Sequence, residues 1–447
     1  MIAQLTLFIF LLFTANCTHL IDSHSKQLSI MQGLTSEKTV EFSILTNEEF
    51  RGTFKVKTIK GEYFNPVRSQ KIDLMAQAKT IYKLLFEIPK EFLSEELSLQ
   101  VFKDHTLTEE RFFRMFSNSE IKLKFVVLSC MNGIHENKNE IWKKVLSTNP
   151  EIIFLIGDNL YFSKSNISPE EMTKELVTFR ETHPLFYSKQ LHPVHAVWDD
   201  NDYGMNNGNS SYAYKDQAKE LFEAFYAQSL DQSYIDKGPG VSSRLHLRGM
   251  HFVFLDNRTF RDPKPEGSHF GKEQEDWLFK GLESNLPTWI ISGDQFFGKY
   301  HPFDSFQGSH PNSFNEFINR LHLVSSPFIF MSGDRHMSEI MQFPAHLMGQ
   351  LSYEMTSSPL HSKVYPGNLT RFPNPWRVSG IDDQINFLWV ETSLQEQGWD
   401  FNIRFHGLQE KPLLSRDLTL HTEQLKEFTI DKKIPRRKYR KLKTKRK

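Results

Sequence analysis

Six apolar segments of this chain each end in residues that can hold a metal ion or move a proton. LKFVVLSC closes on Ser129 and Cys130, EIIFLIGDNLY on Asp158, Asn159 and Tyr161, and PVHAVWDDND on Asp199, Asp200 and Asp202. HFVFLDNRTFR closes on Asp256, Arg258 and Arg261, TWIISGDQ on Asp294 and Gln295, and in FIFMSGDRHMSEI the apolar run gives way to Asp334 and His336. Carboxylates are hard donors that suit calcium, magnesium or manganese, whereas thiolate, phenolate and imidazole suit iron or zinc. The mixture points to more than one metal ion. Ions a few ångströms apart can clamp a phosphate, deprotonate a water and stabilise both oxygens of an in-line displacement. Arg258 and Arg261 are natural partners for phosphate oxygens, because the guanidinium fork is permanently charged.

The elements that position these residues follow from periodicity. In open α/β sheets a ligand sits outside the carboxyl ends of the strands, so the six polar ends are expected along one edge. Between them NEIWKKVLS, EEMTKELVTFRE, DQAKELFEAFYAQ, KEQEDWLFKGLES and SFNEFINRLHLV place apolar residues at three- and four-residue spacing, the period of a helix. Alternating strands and helices predict a layered α/β domain over residues 122–430, with INFLWVET and WDFNIRFHGL as late strands. Residues 25–121 read differently: short alternating segments such as KTVEFSILT and GTFKVKTIKG, separated by turn residues, predict a small antiparallel β-sandwich domain. It carries no ionisable cluster, so its role is packing or partner binding.

With 54 basic and 54 acidic residues the 447-residue chain is formally neutral, but residues 432–447 hold eleven bases and no acid. The remaining 43 bases face 54 acids, an acidic body with a basic tail over 431–447. That tail is read as an electrostatic anchor for anionic lipid headgroups; nucleic acid is disfavoured as a partner, with no recognisable nucleic-acid fold beside it. Residues 1–17 form an apolar run of signal-peptide length ending in Cys17, a lipidation-box arrangement except for Asn16. The protein is therefore expected to be exported, periplasmic or lipid-anchored through Cys17 in a bacterium and secreted otherwise. Cys130 is then a lone thiol at a strand end among carboxylates, a ligand or a nucleophile.

Taken in order, SC (129–130), GDNLY (157–161), WDDNDYGMNN (198–207), DNRTFR (256–261), EQEDWLFKGLESNLPTWIISGDQ (273–295) and SGDRH (332–336) resemble the alkaline phosphatase D (PhoD-like) metallophosphatases. GLTSEKTVEFSI (33–44) is similar to the start of that family's β-sandwich domain. The resemblance implies a calcineurin-like layered α/β fold and hydrolysis of phosphate esters by a metal-bound hydroxide, with ferric iron and calcium as the metals. By position, Cys130, Asp158 and Tyr161 would hold iron, and Asp199, Asn206, Asp334 and His336 would complete the cluster. Arg258 would bind phosphate, with Asp200 and Asn201 beside it at the catalytic position. The family ordinarily has His after the paired aspartates. Asn201 can exchange hydrogen bonds but cannot donate a proton near neutral pH, so hydrolysis of esters with poor leaving groups is expected to be slow.

Several residues keep a structural alternative. Asp200 and Asp202 stay undecided between site and turn, Tyr161 between ligand and packed aromatic. Asp256 can orient Arg258, Asp294 can cap a turn, and His310 is expected in a solvated loop. A rival reading of the whole chain is a weakly active or non-catalytic metal-bearing surface protein, favoured by Asn201.

Overall fold

The computed structural model describes residues 28–421, apart from 35, 232–233, 285, 300, 302–303 and 397. The expected signal at 1–17 with Cys17, and the basic tail at 431–447, lie outside the described residues. The described residues form a mixed α/β protein with four sheets.

Residues 29–114 make two four-stranded antiparallel sheets. The first runs Ser29–Gln32, Thr39–Asn47, Lys79–Glu87, Arg68–Leu74, and the second Tyr63–Phe64, Gly52–Lys57, Glu96–Lys103, Thr106–Arg114. Because side chains alternate across a strand, Phe42 and Ile44 of one sheet and Phe54, Val56, Leu97 and Leu99 of the other point inward into one apolar cluster. Arg68–Leu74 carries no alternation in sequence because it is a mostly exposed edge strand.

The six site-bearing strands do not form one edge of one sheet. Three lie in a six-stranded sheet ordered Val194–Val197, Ile152–Ile156, Lys122–Leu128, Phe387–Gln395, Gly398–His406, Leu414–His421. The other three, Met250–Leu255, Thr288–Ser292 and Phe328–Ser332, run parallel to one another inside an eight-stranded sheet. The two sheets meet face to face through aromatic rings: Phe125 lies 5.3 Å from Trp289, Phe154 5.3 Å from Phe252, and Trp289 5.3 Å from Trp399. Such edge and offset contacts add to the area that large rings bury.

Amphipathic helices cover these sheets. Lys138–Ser147, Pro169–Thr182 and Lys215–Phe225 supply Trp142, Leu176 and Phe222 to the larger core, and Lys272–Leu282 and Pro311–Leu321 supply Leu278 and Phe317 to a second. Pro169–Thr182 starts where it does because Ser168 and Glu171 cap each other's backbone N–H groups and Pro169 needs no hydrogen bond at the first turn. No helix among the described residues is long and apolar enough to cross a membrane.

The N-terminal sheets are bound to the rest by buried polar contacts. Arg180, fully buried, donates from Nε to Ser29 Oγ (3.0 Å), from Nη1 to Phe225 O (2.7 Å) and Ser43 Oγ (3.1 Å), and from Nη2 to Ser29 O (3.0 Å) and Ser43 O (2.8 Å). Lys83, also buried, lies 3.3 Å from Glu41 and donates to the carbonyl of Tyr226 at 2.8 Å. Removing Arg180 leaves several acceptors unpaired in the interior. Arg180→Ala is expected to lower the unfolding free energy by about 3 kcal/mol in a denaturant titration, and Arg180→Lys, which lacks the planar fork, to recover only part of it.

Candidate metal centre

At the carboxyl ends of the strands the backbone turns sharply, and it does so at the chemistry-bearing residues. Cys130 (φ 56°), Asp158 (φ 52°), Asp334 (φ 64°) and His336 (φ 50°) all adopt the left-handed conformation that side chains other than glycine rarely take. Each costs on the order of 1–3 kcal/mol and persists only where surroundings enforce it. Asp202 supplies much of that enforcement. Its carboxylate accepts from the backbone N–H groups of Asp158 (3.2 Å), Asn159 (3.2 Å) and Asp199 (2.6 Å) and from Asn159 Nδ2 (2.6 Å), so one side chain ties two strand ends together. The two sheets touch at glycine: a Cβ on Gly293 would lie 2.7 Å from the Cβ of Asp199, and the Gly293 carbonyl accepts from Gly333 N–H at 2.9 Å.

Two donor sets result. Cys130, Asp158 and His336 offer atoms within 4.8 Å of one another, and so do Asp158, Asp200 and Asp334, with Asp158 common to both. Cys130 Sγ is 3.7 Å from Asp158 Oδ2 and accepts from Ser358 Oγ at 3.2 Å. Tyr161 closes the first set, its hydroxyl 3.1 Å from His336 Nε2. His336 Nδ1 faces the carbonyl of Lys363, which can only accept, so Nδ1 carries the proton and the Nε2 lone pair faces the cluster.

Burial, reinforced by neighbouring carboxylates, lifts Asp158 and Asp334 well above the ordinary carboxylate range, and burial lifts Asp199 despite the opposing charge of Arg258. Burial also raises the Cys130 thiol and the Tyr161 phenol. Facing them is Arg258, fully buried; although burial works against its charge, Asp199, Asp200, Asp294 and Asp334 hold it protonated. Its Nε donates to Asp199 Oδ1 at 2.5 Å, beside Asn257 Nδ2 at 2.6 Å on the same oxygen. Buried without a hydrogen-bond partner are Asp199 Oδ2, Asp334 Oδ2 and Arg258 Nη1.

A family profile for PhoD-like phosphatase matches residues 125–392, more than half of the chain. The chain belongs to the PhoD-like phosphatase family. It is 24% identical over 300 residues to "Alkaline phosphatase D" of Bacillus subtilis (strain 168), an alignment covering 55% of this chain and 50% of that relative. The chain thus matches about half the length of its curated relative. The PhoD-like segment contains both donor sets and Arg258, and the two N-terminal sheets lie outside it.

Within the PhoD-like segment the sequence-derived residues separate. Cys130, Asp158, Tyr161, Asp334 and His336 come together. Asp200, undecided from sequence, enters the second donor set, and its Oδ2 accepts from Asn207 N–H at 2.6 Å. Asp199 lies in neither set and is engaged by Arg258. Asn206 is exposed in the following loop, its backbone N–H donated to Ser165 Oγ at 2.9 Å. Asn201 Nδ2 bridges Asp158 Oδ2 (3.1 Å) and Asp200 Oδ1 (3.0 Å).

Asp256 does orient Arg258: it accepts from the Arg258 backbone N–H (3.1 Å), Thr259 N–H (2.9 Å) and Trp198 Nε1 (2.9 Å). Asp294 is no turn cap. It is buried beside His269 Nε2 (3.1 Å) and Arg261 Nη1 (3.4 Å); burial opposes its ionisation, and His269, Arg261 and Arg258 outweigh it. His310 is likewise not solvated but buried, with Nε2 2.9 Å from the carbonyl of Asp262, because the helix Pro311–Leu321 folds its start under the 262–269 loop. Ser358 and Asn257 were not anticipated. The sole signal in sequence was their position just beyond the ends of apolar strands.

Two outcomes follow from this geometry. Asp202→Ala is expected to lower the bound-metal stoichiometry of purified protein in elemental analysis although Asp202 belongs to neither donor set, since both strand corners lose their tie. In metal-free protein the folded state retains protons on Asp158, Asp199 and Asp334 that the unfolded chain releases above the ordinary carboxylate range. Stability therefore falls as pH rises through that window: the metal-free protein is expected to melt at a lower temperature at about pH 8 than at about pH 5, and readdition of metal should flatten the dependence.

Proposed function

We propose that this protein is a metal-dependent phosphoric ester hydrolase, built as a calcineurin-like layered α/β domain preceded by an antiparallel β-sandwich. One observation carries the reading: two donor sets of unlike chemistry share Asp158 beside a buried arginine that keeps Nη1 free of hydrogen bonds. The residues fit metal ions. Buried carboxylate oxygens of Asp199 and Asp334 lack partners, and acids raised so far by burial are stabilised as anions by a cation. Cys130, Tyr161 and His336 with Asp158 suit ferric iron, and Asp158, Asp200 and Asp334 suit calcium; Asp199 and Asn206, which family resemblance adds to the metal set, lie in neither of these donor sets. Ions bound there withdraw charge from a phosphoryl group and lower the pKa of a water.

The chain's own residues do the rest. Arg258, held charged by the aspartates around it, directs Nη1 at a phosphoryl oxygen and stabilises charge that develops on it. Asp199 fixes that guanidinium and Asp256 fixes the backbone that carries it, so the arginine is in place before reaction. Cys130 is read as a ligand rather than a nucleophile: burial raises its thiol and the charge of Asp199 adds to the rise, the reverse of what an activated cysteine needs. Asn201 orients Asp158 and Asp200 but holds no proton for a departing alkoxide, so the leaving group is expected to be a good one. The export reading rests on residues 1–17 and the rival, a metal-bearing surface binding protein, on Asn201.

The test is elemental analysis together with hydrolysis of an aryl phosphate monoester and a diester by wild type, Cys130→Ala and Asp334→Ala. Bound iron and calcium, with activity falling at least about 100-fold in both variants, is the expected result. Metal without turnover favours the binding protein, and no metal even after reconstitution overturns the site. Asn201→His is expected to speed esters of poor leaving groups by at least about 10-fold while leaving activated aryl esters nearly unchanged.

A further inference from the structure

We infer that the outer face of the second N-terminal sheet docks on an anionic lipid bilayer. In the strand Gly52–Lys57, Phe54 and Val56 fill the core, which turns Lys55 and Lys57 outward. Both ammonium groups stand 5.7 Å from the ring centre of Tyr63 on the adjoining edge strand, and Lys55 is also 5.9 Å from that of Phe102. Phe102 pairs across the sheet with Leu107, which is 45% exposed, and the hairpin turn beyond Lys57 carries Ile59 at 74% exposed; Tyr63 is 49% exposed. The result is a strip of apolar and aromatic side chains with two lysines on it.

These lysines are not drawn into close ion pairs, although Lys57 lies near enough to Glu110 to favour its ionisation. Among the described residues neither takes part in an ion pair, whereas nearby Lys60 is 3.5 Å from Glu95. Glu110, on the same face, accepts from Gln100 Nε2 at 2.6 Å, and Glu62 sits in the turn. Residues 55–71 hold five bases and one acid, in a body whose acids outnumber its bases. Anionic lipid matches each part of this pattern. Aliphatic tips enter the headgroup boundary, tyrosine sits at it, and lysine stems run along apolar surface while their heads meet phosphate. An acidic protein surface would match the lysines but gain little from a protruding Ile59 on a hairpin tip.

The experiment is co-sedimentation of the full-length protein with phosphatidylcholine vesicles with and without phosphatidylglycerol, comparing wild type, the double variant Lys55→Gln/Lys57→Gln and Ile59→Ser. Wild type is expected to bind the anionic vesicles selectively. The lysine pair should weaken that binding about 30-fold, at about 5-fold per lysine near a charged surface. Ile59→Ser should weaken it several-fold at unchanged melting temperature. Failure of wild type to bind, or variants that bind as tightly as wild type, overturns the inference; the latter would assign lipid attraction to another segment such as the basic residues 432–447. Loss with the lysine pair alone and none with Ile59→Ser would also overturn it, since adsorption by charge does not need this face. The outcome is independent of whether the site hydrolyses phosphate esters.

Discussion

A crowd of aspartates beside one buried guanidinium sets the terms for this structure. Asp158, Asp199 and Asp200 are buried and Asp334 is half-buried, and Arg258 directs its Nε to Asp199 while Arg261 turns to Asp294. A protein interior keeps such a set only by protonating it or by admitting cations. Unpartnered oxygens accompany that crowding, and the tie through Asp202 holds the backbone at Asp158 and Asp199 in place.

Both donor sets straddle the two large sheets. Cys130, Asp158 and Asp200 follow strands of the six-stranded sheet, and Asp334 and His336 follow a strand of the eight-stranded one. Neither sheet holds a complete set by itself. The spacing of the donors is therefore set by the aromatic layer between the sheets and by the glycine contacts at their carboxyl ends, where Gly293 leaves room for Asp199 and nothing larger than hydrogen. Packing far from the chemistry decides donor distances because interiors are dense and transmit displacement.

The N-terminal sheets contribute no donor to either set, yet Arg180 and Lys83 fix them to the PhoD-like segment through buried hydrogen bonds. Polar contacts of that kind specify one orientation more sharply than apolar burial does, since each acceptor left without its donor is penalised. A surface that meets a membrane on these sheets would consequently fix how the candidate metal centre faces it.

The sequence alone determined the buried strands, the longer helices and four residues of the candidate centre. An apolar run that stops at a polar cluster is a local pattern, so Cys130, Asp158, Asp334 and His336 were legible, whereas Tyr161 stayed open between ligand and packed aromatic. So was the role of Asp256 as orienter of Arg258, from a separation of two residues. Edge strands such as Arg68–Leu74 left no trace, because exposure removes the alternation that marks a strand. The tertiary structure alone decided that the six strands divide between two sheets, that Asp200 joins a donor set while Asn206 points to solvent, that Asp199 pairs with Arg258, and that Ser358 reaches Cys130. These partners lie far apart in the chain or differ by a turn within one loop, and which of them meet depends on how two sheets face one another, a relation that no local period records.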